Sequence, residues 1–340
     1  MASLKQLGFR LLPQFVALAV ILVLIRIVFP DFFNLQIQNG RLYGSLIDIL
    51  NRGAPVALLA VGMTVVIATK GIDLSVGAVM AICGAVAASS SVQGDPLIVT
   101  LLLVLGTGLL CGFWNGFLVS VLDIQPIIAT LVLMVAGRGI AQLVTEGAIL
   151  TFNDEKLIFI GSGSFLGMPM PVIIFLVFGI AVAALLRRTA LGLLIEAIGI
   201  NRRASTLAGI QTPVLLMAAY MLSGLCAAIA GIIVTADIRG ADANNAGLWL
   251  ELDAILAVVV GGTSLLGGRF SILASLVGAL IIQSVNTGIL LSGFPPEFNL
   301  IIKAAIIVII LVIQSPKVQG AFGFFARKPV SGTATEEKKA

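Results

Sequence analysis

Long apolar runs separated by short polar interruptions repeat along the whole chain. A hydrocarbon core about 30 Å thick needs about 20 helical residues, fewer where a span is short or broken. On that criterion ten spans are predicted: 11–29, 54–69, 74–90, 97–120, 125–145, 171–186, 210–236, 248–264, 271–291 and 298–314. Lys70-Gly71-Ile72-Asp73 divides the second span from the third within one long apolar stretch. The pattern predicts an all-α polytopic integral membrane protein, with a transmembrane domain over 1–316 and a tail over 317–340. The tail has no apolar periodicity and is expected to be disordered. Lys5 and Arg10 precede the first run, but Pro30-Asp31 follows it without a small-x-small cleavage site, so the run is read as an uncleaved span.

Charge sets the orientation. With the N-terminus inside, the inner loops hold Lys5, Arg10, Lys70, Arg187, Arg188, Arg202, Arg203, Arg269, Lys317, Arg327, Lys328, Lys338 and Lys339. The outer loops hold only Arg41, Arg52, Lys156 and Arg239. This bias places both termini in the cytoplasm and requires an even number of spans. Three outer stretches remain, 31–53, 146–170 and 237–247. The first carries Leu35, Ile37, Leu42, Tyr43, Leu46, Ile47 and Leu50 among polar residues and is expected to form an amphipathic surface helix.

Composition narrows the chemistry. The chain is 59% hydrophobic and 11% charged, too little charge for an ordinary soluble domain. Its 37 glycines suit helices that approach closely in lipid. There is no histidine, which excludes histidine-based nucleophile systems and histidine zinc sites. Cys83, Cys111 and Cys226 fall in apolar runs without metal-ligand spacing and are read as packing residues. The positive residues are scattered between spans, so no nucleic-acid partner is expected.

Several motifs admit two readings. Asp73 and Ser75 either cap a helix start or mark a broken helix lining a path. Gly261-Gly262-Thr263-Ser264-Leu265-Leu266-Gly267-Gly268-Arg269 lacks the Lys-Ser/Thr ending of a phosphate loop and is read as a tight cytoplasmic turn. No ATP site, other cofactor or metal is therefore expected on this chain. Polar residues within spans are Asn115, Gln125, Arg138, Gln142, Glu251, Asp253, Gln283, Asn286 and Lys303. They either line a path or pair within the bundle, for example Arg138 or Lys303 with Glu251 or Asp253. Asp73, Asn115, Gln125, Arg138, Gln142 and Asn286 are the candidate path residues. The acidic candidates cluster at 251–253 near the outer face, which favours an uncharged substrate over proton or sodium coupling. Residues 57–81 weakly echo 254–280, through duplication or chance. Four arginines, Arg187, Arg188, Arg202 and Arg203, bracket a short amphipathic segment that must project into water, where another protein can push on it.

Gly71-Ile72-Asp73-Leu74-Ser75-Val76-Gly77, Ile124-Gln125-Pro126-Ile127-Ile128-Ala129-Thr130-Leu131, Arg138-Gly139, Thr189-Ala190-Leu191-Gly192, Ala197-Ile198-Gly199-Ile200-Asn201 and Gly261-Gly262-Thr263-Ser264 together resemble the permease subunit of ribose/xylose-type ABC sugar importers. Residues 237–254 and Gly293-Phe294-Pro295-Pro296-Glu297 further resemble galactofuranose importers of that kind. The resemblance implies a multi-pass protein of the bacterial inner membrane that is not itself an enzyme. It also implies an ATPase partner that binds the ATP, an extracytoplasmic sugar-binding protein and a second permease chain, the same or related. Residues 187–205 match the coupling element, with Arg187, Arg188, Glu196, Ala197, Gly199 and Asn201 as docking candidates. A gradient-driven small-solute carrier and a membrane scaffold are the rival readings.

Overall fold

The computed structural model describes residues 4–38 and 41–293 and, beyond these, 295, 298, 300–305 and 308. The chain divides into two compact units, 1–293 and 294–340. In the second, residues 298, 300–305 and 308 are helical. The rest of the expected span 298–314 and the tail 317–340 lie outside the described residues.

The first unit runs α1 (Leu4–Val28), β1 (Gln36–Gln38), β2 (Arg41–Tyr43), α2 (Ser45–Ala68), α3 (Val76–Val92), α4 (Leu97–Ser120) and α5 (Pro126–Val144). There follow β3 (Leu150–Thr151), α6 (Glu155–Ser162), β4 (Ser164–Phe165), β5 (Met168–Pro169), α7 (Met170–Arg188), α8 (Leu191–Ile200) and α9 (Arg202–Leu207). The unit closes with α10 (Thr212–Ile238), β6 (Gly240–Ala241), α11 (Leu250–Val260) and α12 (Ile272–Leu291). Helices α5, α7 and α10 each open with proline in the first turn, where its missing N–H removes no intrahelical bond.

Among the described residues, seven helices are long and apolar enough to cross a membrane: α1, α2, α4, α5, α7, α10 and α12. Two expected spans are shorter. The 17 residues of α3 extend about 25 Å, and the 11 of α11 only about 16 Å, at about 1.5 Å per residue. The expected span 248–264 is therefore not a full helical span; its first residues and its Gly-Gly end are non-helical. The expected amphipathic surface helix over 31–53 is also corrected. Residues 36–38 pair antiparallel with 41–43, and 45–53 are the first turns of α2. Among the described residues, three two-stranded ladders accompany the helices.

Helix α10 is the axis on which α2, α3 and α4 pack. Gly108, Gly112 and Gly116 form one stripe on α4, where a methyl group would overlap the backbone of Gly224, Tyr220 and Met217 respectively. Small residues at four-residue spacing let two helix backbones touch, the contact that association in lipid rewards. Cys83 and Cys226 are buried within this packing.

The two ends of the unit differ. At one, Arg41 donates to the Ser162 carbonyl at 3.1 Å, β3 pairs with β6, and the Phe152 N–H donates to the Arg239 carbonyl at 3.2 Å. The expected outer stretches thus meet one another. At the other end, the Gly268 N–H donates to the Ala68 carbonyl at 2.9 Å and Lys70 Nζ to the Ile200 carbonyl at 3.0 Å. This gathers the α2–α3 break, the glycine turn and the α8 terminus. Gly262, Gly267 and Gly268 all hold positive φ in that turn, as its reading as a tight connection requires.

Candidate functional site

Three irregular backbone segments interrupt the bundle, and each has its own polar support. The first is the α2–α3 break. Lys70 sits at φ 65°, and Asp73, only 2% exposed, turns its carboxylate back to the start of α3. Asp73 Oδ1 accepts from the Ser75 N–H at 3.0 Å and from Ser75 Oγ at 2.6 Å, while Oδ2 accepts from Ser223 Oγ of α10 at 2.8 Å. Asn115 Nδ2 of α4 donates to Ser75 Oγ at 2.8 Å. Thr130 Oγ1 of α5 accepts from the Leu74 N–H at 3.2 Å and lies 3.3 Å from the Ile72 carbonyl. The close α4–α10 crossing is what brings Asn115 and Ser223 within reach. Asp73 thus supports the start of α3 at a break between helices that is buried in the protein.

Asp73→Ala leaves three buried donors without an acceptor. Each such group costs about 1–3 kcal/mol. A drop of several degrees in the melting temperature of the purified protein is expected, with Asp73→Asn intermediate because it keeps one carbonyl oxygen. Equal melting of Asp73→Ala and wild type would show that these bonds contribute nothing.

The second segment is 239–249, between α10 and α11. It is expected to be a polar outer loop, yet Ala241, Ala243 and Gly247 are buried. Gly247, at φ 73°, lies against Gly77 in the first turn of α3, and a methyl group on either would overlap the other's carbonyl oxygen. Arg138 of α5 donates from Nη1 to the carbonyls of Ala243, at 3.3 Å, and of Ala246. Gln142, one turn further, donates to Asn244 Oδ1 at 2.7 Å. Arg138 keeps the expected electrostatic attraction to Glu251, while its hydrogen bonds go to carbonyls that a non-helical segment leaves unsatisfied. Irregular backbone within a membrane is tolerated only under such cover.

Two further expectations are corrected. Gln125 is exposed at the start of α5 and Asn286 lies on α12; among the described residues no hydrogen bond joins either to the Asp73 or Arg138 groups. Carboxylates are also not confined to the outer face, because Asp73, Glu251 and Asp253 are all buried in the bundle. Ser75 was legible beside Asp73, but Thr130 and Ser223 were not. Hydroxyls are common in spans, and only the crossing of helices selects these two.

The third segment joins α7 to α10. Thr189 Oγ1 accepts from the Leu191 N–H at 3.3 Å, and Asn201 Oδ1 caps α9 through the Ala204 N–H at 3.0 Å. Helix α8 buries Gly192, Ile195, Ile198 and Gly199 and exposes Leu193, which is 71% accessible. Arg187, Arg188 and Asn201 are exposed, and Glu196 and Ala197 are half-buried. Gly199 is not available to a partner. Its Cα presses on the Ala68 carbonyl and the Gly268 N–H, so any side chain there meets this chain's own backbone.

Residues 45–311 match the family model described as branched-chain amino acid transport system / permease component. The chain belongs to this family of transporter permeases, which are not enzymes. Among its curated relatives, a galactofuranose transporter permease of Escherichia coli is 63% identical over 306 residues, 90% of each chain. A fructose import permease of Bifidobacterium longum is 41% identical, covering 95% of this chain and 93% of its own. A ribose import permease of Escherichia coli is 38% identical over 89% and 92% respectively. No solved structure matches.

Proposed function

We propose that this chain is the membrane-spanning permease of an ABC importer for galactofuranose. The observation that carries the substrate is the 63% identity to a galactofuranose permease over 90% of both chains. A separate ATPase subunit binds and hydrolyses ATP, a binding protein delivers sugar at the Arg41–Arg239 end, and a second permease chain completes the path. The chain crosses a bacterial inner membrane ten times, with both termini in the cytoplasm. This needs α3 and α11 as short spans and a tenth span beginning near residue 298, and the charge asymmetry supports it.

The path runs along the face of α5 and segment 239–249. Arg138 is only half-buried there, and Gln142, Asn244 and Asn245 are exposed. Polar groups at bundle depth belong against water or protein rather than lipid. A sugar's hydroxyls find donors and acceptors on this face. Asp73 and Asn115 hold the α2–α3 break behind it.

ATP-driven closure of the partner subunits moves the α7–α10 segment, and because α8 is packed on Ala68 and Gly268 the motion reaches the α2–α3 break and the glycine turn directly. Docking falls on the outward face of this segment, with Arg187, Arg188, Leu193, Glu196, Ala197 and Asn201. Leu193→Asp is expected to release the ATPase from the purified complex by at least tenfold while the permease alone melts as wild type. Gly199→Asp is expected to lower the melting temperature of the permease itself. Full ATPase retention by Leu193→Asp would move docking elsewhere.

Reconstitution tests the reading against a gradient-driven carrier. Vesicles holding permease, ATPase and binding protein should accumulate galactofuranose on ATP addition, with no loss when an ionophore collapses ion gradients. Uptake that persists without ATP and vanishes with the ionophore would replace the proposal with secondary transport.

A further inference from the structure

At the Lys70 end of the first unit, a cavity of about 480 Å³ lies among the α2–α3 break, the α4–α5 turn and the α8–α9 corner. Its wall combines apolar side chains, Ile198 and Leu216 among them, with three cations, Lys70, Arg202 and Arg203. Tyr220 also lines it; that side chain is fully buried, and its hydroxyl has no partner among the described residues. Arg202 is engaged, with Nη1 on Asp123 at 2.8 Å and Nη2 on the Ser120 carbonyl at 3.3 Å. Lys70 commits one of three donors to the Ile200 carbonyl, and Arg203 is exposed. Asp123 offsets one positive charge, so the cavity keeps a cationic excess beside apolar walls, at the level where spans end. Transport of a neutral sugar does not call for that excess.

We propose that this cavity binds a phosphate-bearing anion, held between the Lys70 ammonium and the Arg203 guanidinium, with Arg202 alongside and the Tyr220 hydroxyl at the floor. The ammonium supplies a point charge and the guanidinium a planar fork, the two donor types that phosphate oxygens accept best. A basic pocket between helices at the membrane boundary suits the headgroup of an anionic phospholipid. A soluble phosphate carries the same chemistry. The site adjoins the docking segment at Asn201, but neither Lys70 nor Arg203 is among the docking or path residues, so it can fail without touching the transport reading.

Two probes on the purified full-length permease distinguish the sources. One is phosphatidylglycerol retained through detergent exchange, with dissociation followed by native mass spectrometry. The other is the melting shift caused by inorganic phosphate, against chloride at equal ionic strength. Wild type is expected to bind at least one probe. Lys70→Gln with Arg203→Gln is expected to weaken that binding roughly thirty-fold. Arg187→Gln with Arg188→Gln removes equal charge from the same end outside the cavity and should stay within about twofold of wild type. Arg203→Gln alone changes an exposed side chain and is expected to weaken binding about fivefold, which keeps the test decisive if the double variant does not fold. Lipid retention without a phosphate effect identifies a headgroup site, and the converse identifies a soluble ligand. Binding of neither probe by wild type, or equal loss in the two double variants, overturns the proposal.

Discussion

Arg138→Ala is expected to reduce sugar uptake at least 100-fold and to destabilise the permease by about 2–5 kcal/mol. The guanidinium is the donor to two carbonyls, of Ala243 and Ala246, which lie beyond the β6 ladder and before α11. Leaving a buried polar group unpaired costs about 1–3 kcal/mol, and two are released at once. Segment 239–249 then loses its guanidinium anchor to α5, with the Gln142–Asn244 bond left, and the polar face proposed to meet sugar is disturbed. Arg138→Lys should recover part of the stability and little of the uptake, because one ammonium replaces a planar fork. Melting of the purified permease and uptake into vesicles are the two readouts. A variant that melts and transports as wild type would show that segment 239–249 is held by other contacts.

Gly247→Ala and Gly77→Ala are expected to be as severe, through shape rather than charge. At Gly247 the left-handed backbone costs a side chain of order 1 kcal/mol, and a methyl there also overlaps the Gly77 carbonyl. At Gly77 the conformation is ordinary, but the added methyl overlaps the Gly247 carbonyl and crowds the Glu251 carboxylate. Overpacking of this kind costs typically about 1–3 kcal/mol. The expected result is a low yield of monodisperse protein for both variants, with Gly247→Ala the worse. Gly106→Ala, where nothing lies within reach of the new methyl, should behave as wild type. Wild-type yield and uptake for Gly77→Ala would mean that the two breaks are not in contact in the working protein.

Much of the helical order was legible because lipid-crossing helices announce themselves by length and apolarity. The runs 97–120 and 271–291 match α4 and α12 to within a residue. Irregular segments were harder, since their polarity says that they leave a helix but not where they go. Residues 237–247 and 261–269 are both rich in glycine and polar groups. The first is drawn into the bundle by Arg138, while the second lies beside Ala68 at the opposite end from Arg41 and Arg239. Residues 31–53 show the opposite fault: an apolar pattern that fits a surface helix also fits two paired strands followed by a buried helix start. Asp73 was visible as a site because a carboxylate in an apolar stretch is costly without partners. Its partner Ser223 was not, being one hydroxyl among many.

Taken alone, then, the sequence determined the class of protein and the long apolar helices, such as α4 and α12, that carry it. These are properties of composition and period, and hydrocarbon reads them one helix at a time. Tertiary structure alone decided which polar residues meet. It paired Asp73 with Ser223 across the glycine stripe of α4 and α10, gave the hydrogen bonds of Arg138 to backbone carbonyls, and turned Gly199 inward. The reason is that such contacts depend on how closely two backbones approach and at what rotation. Residues 150 positions apart acquire that relation only when the helices have packed.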